Sequence, residues 1–268
     1  MSFKDKRIIL TGATGGIGSE VAKLLAAAGA KLTLVDLNEV ALEKARQELG
    51  AERTLSIIAD ITNIEHRQEI IDSTLATFQG IDILINLAGI NPFGSFIQQD
   101  SALIQKTMEI NTIAPMLLTH DVLAEMHKQN SGQIVNVGSI FGSIAFAWFT
   151  TYSASKFALR GFSQSLRREL ADTGIDVTYI APRAVKTPIN SDAVYEMAEV
   201  VKMNMDEPAD VAKQIVQAIS SRKKECYIGF PESLFARINA ILPGVVDNSL
   251  RKQDRLTKPY ALNEVSPD

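Results

Sequence analysis

From Arg7 onward the chain repeats one unit: a short apolar run, a turn, and a longer stretch whose apolar residues recur about every 3.6 positions. This predicts strands over 8–10, 31–35, 54–59, 83–87, 133–137, 176–180 and 226–229, with helices over 16–28, 39–49, 64–79, 102–128, 152–172 and 208–221. The strand runs show little polar alternation, as befits parallel strands covered on both faces. Parallel strands need crossover connections, so the expected architecture is α/β: a doubly wound parallel sheet in three layers, with helices on both faces. No Pro-, Gly- or Ser-rich linker and no repeat interrupts the pattern, which favours a single domain in the 268 residues.

Composition narrows the function classes. The 46% hydrophobic and 22% charged content is that of a globular chain, neither disordered nor fibrous. A net charge of −4 with scattered Lys and Arg argues against a nucleic-acid partner. Cys226 is the lone cysteine, and His66, His120 and His127 make a poor ligand inventory, so no metal is expected. The first residues are charged and no run of about 18 apolar residues occurs, which points to a soluble, cytoplasmic protein.

Directly after the first strand comes Thr11-Gly12-Ala13-Thr14-Gly15-Gly16-Ile17-Gly18. Glycines between an apolar strand and an Ala-rich helix let the backbone approach a pyrophosphate, and the helix start offers unpaired N–H groups to it. Asp36 lies 18 residues beyond Gly18, where a carboxylate would accept hydrogen bonds from the adenosine ribose hydroxyls. Neither Leu37 nor Gly15 is basic, so nothing nearby would hold a 2′-phosphate, and NAD is favoured over NADP.

The glycine loop, Asn86-Leu87-Ala88-Gly89, Asn111, Ser139 and Tyr152-Ser153-Ala154-Ser155-Lys156, taken in order, resemble the short-chain dehydrogenase/reductase family over residues 5–230. The resemblance implies a Rossmann-type fold, a homotetramer or homodimer, and contacts from Asp60 and Ile61 to adenine. It also implies that Asn86, Ala88 and Gly89 support the middle of the cofactor, although Leu87 replaces the family's second asparagine. Where the family has Pro-Gly-x-Val-x-Thr, this chain reads Pro182-Arg183-Ala184-Val185-Lys186-Thr187. Val185 and Thr187, beside Pro182, should meet the nicotinamide carboxamide, whereas Arg183 denies that loop the left-handed geometry a glycine allows.

Hydride transfer between an alcohol carbon and nicotinamide needs an acid/base beside the reacting oxygen. Tyr152 fits that role, with Lys156 one helical turn on to lower its pKa and, by resemblance, to bind the nicotinamide ribose. Ser139 would orient the oxygen, and Asn111, by resemblance, would hold a relay water. All three histidines precede Ser139 and no Gly-x-Ser-x-Gly occurs, which rejects a hydrolase.

Residues 140–149 are expected to wall the substrate site, and 187–205, with Ile189, Val194, Tyr195, Met197, Val200, Val201, Met203 and Met205, to form a lid. This suits an apolar alcohol, aldehyde or ketone. Two further readings are an NADPH-dependent 3-oxoacyl or ketone reductase and a non-catalytic NAD-binding scaffold subunit. Leu117, Leu118, Leu159 and Phe162 suggest a helix face covered by a partner subunit. The cofactor-binding domain is expected over 1–230, followed by an extension over 231–268. Its amphipathic 231–258 portion is read as a subunit contact or pocket cover, with peripheral membrane contact as the alternative, and 259–268 as a loose tail.

Overall fold

The computed structural model describes residues 3–262 and 264. Strands β1 (Arg7–Thr11), β2 (Lys31–Asp36), β3 (Thr54–Ile58), β4 (Ile83–Asn86), β5 (Gly132–Val137), β6 (Ile175–Pro182) and β7 (Glu225–Ile228) form one sheet in the order β3-β2-β1-β4-β5-β6-β7. Every pairing is parallel. All seven predicted strands are present in one α/β domain of the doubly wound kind. The strand order reverses direction between β1 and β4, the place where sheets of this kind open a crevice beyond their carboxyl ends.

Ten α-helices cover the described chain: α1 (Gly16–Ala27), α2 (Glu39–Leu49), α3 (Ile64–Phe78), α4 (Ser101–Met108), α5 (Ala114–Gln129), α6 (Thr150–Glu169), α7 (Asp192–Val200), α8 (Pro208–Ser220), α9 (Glu232–Ile241) and α10 (Pro243–Ala261). Local chemistry sets several starts. The side chains of Asn38, Asn63 and Asp100 accept backbone N–H groups in the first turns of α2, α3 and α4, and Pro208 opens α8. α1 carries no side-chain cap, because Gly15 stands at that position.

Two apolar clusters fill the faces of the sheet. One joins β1, β2 and β6 to α1 and α8 through residues such as Leu10, Val21, Leu34, Ile180 and Ile215. The other joins Ile9, Leu84 and Ile134 to Ile70, Leu118 and Val122 on α3 and α5. Each fully buried side chain of this size contributes about 1.5–3 kcal/mol relative to exposure. Leu118 and Leu159 are therefore spent inside their own subunit, contrary to the expectation of a partner contact, whereas Leu117 stays exposed.

The predicted helix over 102–128 is not uniform. α4 and α5 are joined by a π-helical turn, Glu109–Ile113, centred on Asn111. Pro115 explains the break: it has no N–H to give the Asn111 carbonyl four residues earlier, and its ring crowds that carbonyl.

A third cluster lies beyond the carboxyl ends of the strands and unites Ile140, Phe141, Ile144 and Phe149 with Val194 and Met197 of α7, Ala236 of α9 and Val246 of α10. The expected loose tail over 259–268 is corrected in its first part: α10 runs through Pro259, Ala261 is buried, and the Ala261 carbonyl accepts the Ser95 N–H. Residues 263 and 265–268 of that tail lie outside the described residues. Among the described residues no helix is long and apolar enough to cross a membrane.

The only tryptophan reports on this docking. The Trp148 indole donates to the Asp254 carbonyl of α10 at 3.2 Å. Ending the chain at Leu242 should shift tryptophan emission to longer wavelength while far-ultraviolet dichroism keeps the sheet signal. An unchanged emission maximum would show that α10 does not cover Trp148.

Candidate active site

A cavity of about 600 Å³ opens along the carboxyl ends of the strands, a size ordinary for a small-molecule site. Gly12, Thr14, Gly15, Gly16 and Ile17 line one stretch, beneath the uncapped start of α1. Gly12 has φ 68°, and a Cβ there would come within 2.8 Å of the Ala88 Cα, so a side chain would force β1 and β4 apart. Thr11 Oγ1 accepts the Leu87 and Ala88 N–H groups at 3.1 and 3.2 Å, which pins the turn after β4 to this loop.

Asp36, Leu37, Asp60 and Ile61 line the far end. The Asp36 carboxylate accepts the Thr14 N–H at 2.9 Å and the Leu37 N–H at 2.8 Å, which fixes its orientation and leaves lone pairs over. Burial pushes the Asp60 carboxyl up, but the Thr62 hydroxyl and N–H, both donating to it, outweigh burial and hold it below its ordinary value. Buried Arg67 donates to the Ile61 and Thr62 carbonyls at 3.1 Å each and so fixes this wall from behind.

Two of the residues expected at the cofactor do not reach the cavity. Gly18 is buried where α1 passes the Gly12 carbonyl, and it serves close packing of helix on loop. Asn86 is buried inside the sheet, donating to Thr119 Oγ1 at 3.1 Å and Asn136 Oδ1 at 2.9 Å. Its part is to tie β4 to β5 and α5. Ala88, Gly89, Pro182, Val185 and Thr187 do line the cavity.

Ser139, Tyr152 and Lys156 come together at the other end. Ser139 lies two residues past β5 and caps the 3-10 turn Ile140–Gly142, its hydroxyl accepting the Phe141 N–H at 3.2 Å, and α6 carries Tyr152 and Lys156 on one face. Lys156 is buried, its Nζ 3.4 Å from the Val137 carbonyl and 5.7 Å from the centre of the Tyr152 ring. Burial brings its ammonium down to about 8. Burial likewise pushes the Tyr152 phenol up to about 12, opposed by a hydrogen bond with Ser139.

Asn111 clamps the adjoining loop. Its Oδ1 accepts the Ile90 N–H at 2.9 Å, while its Nδ2 donates to the Ile90 carbonyl at 2.9 Å and to Ser155 Oγ at 3.0 Å. Gly89 lies between Asn111 Oδ1 and Lys156 Nζ, which are 3.0 and 3.6 Å from its Cβ position.

Around Tyr152 the wall is apolar: Ile90, Phe141, Phe149, Ile189, Val194 and Met203. The Phe141 ring meets Tyr152 edge-on at 5.7 Å and Phe149 at 5.0 Å. Of the expected lid residues, Ile189, Val194 and Met203 line the cavity, whereas Tyr195, Met197, Val200, Val201 and Met205 do not. Two polar residues not foreseen, Asn91 and Asn190, stand in this wall and bond to each other at 3.3 Å. Among the described residues no group of His, Cys, Asp and Glu could hold a metal ion.

A buried phenol and ammonium beside a strand-end hydroxyl can pass a proton to or from one oxygen atom. A glycine cradle with a carboxylate at its far end fits an adenosine diphosphate moiety. A family model described as short chain dehydrogenase matches residues 6–198. A Bos taurus protein named dehydrogenase/reductase SDR family member 7B is 31% identical over 253 residues, covering 89% of this chain and 78% of the relative. An uncharacterized oxidoreductase of Staphylococcus saprophyticus is 31% identical over 222 residues, covering 82% and 93%. The crystal structure of a short-chain dehydrogenase from Streptomyces avermitilis superposes with a TM-score of 0.79 at 27% identity, covering 96% and 98%. The chain belongs to the short-chain dehydrogenase/reductase family of oxidoreductases, which use nicotinamide dinucleotides.

Proposed function

We propose that this enzyme interconverts an apolar alcohol with its ketone or aldehyde, using NAD(H). The observation that carries the reading is the convergence of Ser139, Tyr152 and Lys156 at the apolar end of a cavity whose other end presents Asp36. The dinucleotide, when bound, supplies or receives the hydride. The residues of the chain handle the rest. In the reducing direction Ser139 donates a hydrogen bond to the carbonyl oxygen and Tyr152 gives that oxygen its proton; oxidation runs the same path backwards. Lys156, whose ammonium at about 8 is still charged at neutral pH, favours the phenolate that results. Asn111 keeps the Ile90 loop in place and, through the spare lone pair of Oδ1, can hold the relay water toward Lys156.

Asp36 supports NAD over NADP, since its carboxylate would repel a 2′-phosphate and its neighbour Leu37 offers no positive charge. Exposed Leu103, Ile113, Met116, Leu117 and Phe157 on α4 to α6 support a homo-oligomer through that face. The inner side of α9 and α10 supports the pocket-cover reading of the extension, while exposed Leu234, Phe235, Ile241 and Leu242 are the residues that peripheral membrane contact would use.

Nicotinamide absorbance followed over four-, eight- and twelve-carbon secondary alcohols tests the reaction. kcat/KM should rise with chain length, and Tyr152→Phe should lower kcat by about 10²–10⁴-fold without unfolding the protein. Undiminished turnover by Tyr152→Phe would remove its acid/base role, and a flat length series would remove the apolar substrate.

Cofactor choice is tested separately. NADH should be preferred, and Asp36→Ser should raise the relative efficiency of NADPH by about tenfold, the value of removing one close like-charge contact. NADPH preference in the unmodified protein would contradict the role given to Asp36 and favour the NADPH-dependent 3-oxoacyl or ketone reductase.

Lys156 carries a stability cost with a definite sign. Its pKa falls from 10.5 to about 8 on folding, so the charged form is penalised in the folded state at neutral pH by about 3 kcal/mol. That penalty is present below about pH 8 and vanishes above the unfolded value of 10.5. Lys156→Met should therefore abolish turnover yet raise the thermal midpoint at pH 7 by about 6–12 °C, at about 2–4 °C per kcal/mol, with the gap closing toward pH 10. A lower midpoint at pH 7 would mean that burial does not penalise this ammonium.

A further inference from the structure

Arg183 stands where the family usually has glycine, and its side chain has work of its own. Its backbone keeps a negative φ and its N–H donates to the Ile228 carbonyl at 3.1 Å, so the β6–β7 ladder runs one step past Pro182. The guanidinium then forks. Nε and Nη2 grip the two oxygens of Asp206 at 3.0 and 2.7 Å, and Nη1 reaches Glu232 Oε2 and the Phe230 carbonyl at 3.0 Å each. All three charged side chains are largely shielded, with 16%, 21% and 23% exposure for Arg183, Asp206 and Glu232, so their attraction is screened less than that of a surface pair.

These bonds join the stretch that lines the cavity from Pro182 to Met203 to α9, which contributes no lining residue and packs behind it through the third apolar cluster. Asp206 follows the lid, and its backbone is bonded to residues 184 and 186: its N–H donates to the Ala184 carbonyl at 2.9 Å and its carbonyl accepts the Lys186 N–H at 3.0 Å. Glu232 opens α9 and also accepts from Asn204 Nδ2, two residues before Asp206, at 3.2 Å. Gly229 makes room for the stem of Arg183. It sits at φ 102°, and a Cβ there would come within 2.7 Å of the Arg183 Cγ.

We infer that Arg183 is a positioning residue that latches the C-terminal hinge of the 187–205 lid to the start of α9, keeping Ile189, Val194 and Met203 closed over the Tyr152 end of the cavity. The inference rests on the oxidoreductase reading for the identity of that end. The latch couples the C-terminal extension to substrate affinity: without the guanidinium, Asp206 and Glu232 are left as two half-buried carboxylates facing one another, and the lid hinge loosens. Proton transfer at Tyr152 is untouched, so the effect falls on KM.

Lys202, exposed in a left-handed turn just before this hinge, provides a readout independent of turnover. In the ligand-free full chain, trypsin cleavage after Lys202, followed as the fragment beginning at Met203, should be about fivefold faster in Arg183→Ala and Asp206→Asn than in the unmodified protein, with Arg183→Lys between. In turnover, KM for a long secondary alcohol should rise by about fivefold in the same variants, with kcat within about twofold. Unchanged cleavage after Lys202, acceleration spread equally over all tryptic sites, or a fall in kcat at constant KM would each overturn the latch. If Arg183→Ala fails to fold, Asp206→Asn carries the same comparison. Accelerated cleavage in a protein inert toward every alcohol and ketone would uphold the latch and refute the oxidoreductase reading, whereas turnover with unchanged cleavage would do the reverse.

Discussion

An ammonium group enclosed by protein is the constraint around which this site is arranged. Lys156 lies beneath the end of β5, with the Val137 carbonyl on one side and the Tyr152 ring on the other. Largely shielded from water, its charge is poised to stabilise negative charge arising nearby. The phenol of Tyr152, pushed up by the same burial, is the group that gains most from that cation. In the proposed reaction the two would act together, the cation favouring the phenolate that its neighbour becomes.

The rest of the fold supplies rigidity to that pair. The π-helical turn forced by Pro115 places Asn111 against both polar groups of Ile90, so its side-chain amide holds the Ile90 loop through two hydrogen bonds to the backbone. Asn86 and Asn136 knit β4 to β5 from within. On the substrate side, the 140–149 segment, α7, α9 and α10 share one apolar cluster, so the pocket wall and the C-terminal extension move as parts of one packed unit.

Much of this was legible in the residues, and what escaped has physical reasons. The strands could be read because buried parallel strands are apolar without interruption, and the glycine loop because its spacing follows from backbone approach to phosphates. Asn111, Ser139, Tyr152 and Lys156 stood out as candidates only as a set in order, since Asn111 or Ser139 alone would pass for a helix irregularity or a strand-end cap. Asn111 is in fact at a helix irregularity, and the proline four residues on was the signal for it. Asn86 was misplaced because motif matching gives a residue's position and not the direction of its side chain. α10 was read partly as a tail because its apolar face packs against segments distant in sequence, and Pro259 inside it argued locally against a helix that tertiary packing sustains. The bonds of Arg183 to Asp206 and Glu232 span more than twenty residues each and left no periodic trace.

The coupling between Lys156 and Tyr152 is open to direct observation. Nuclear magnetic resonance of the protein carrying tyrosine labelled at Cζ, with the signal assigned through Tyr152→Phe among the five tyrosines, follows the ionisation of this one phenol. With oxidised NAD present, Tyr152 should ionise well below the value of about 12 set by burial, and Lys156→Met should move that ionisation back up by at least about one pH unit. A Tyr152 titration that is the same with Lys156 and without it would contradict the account.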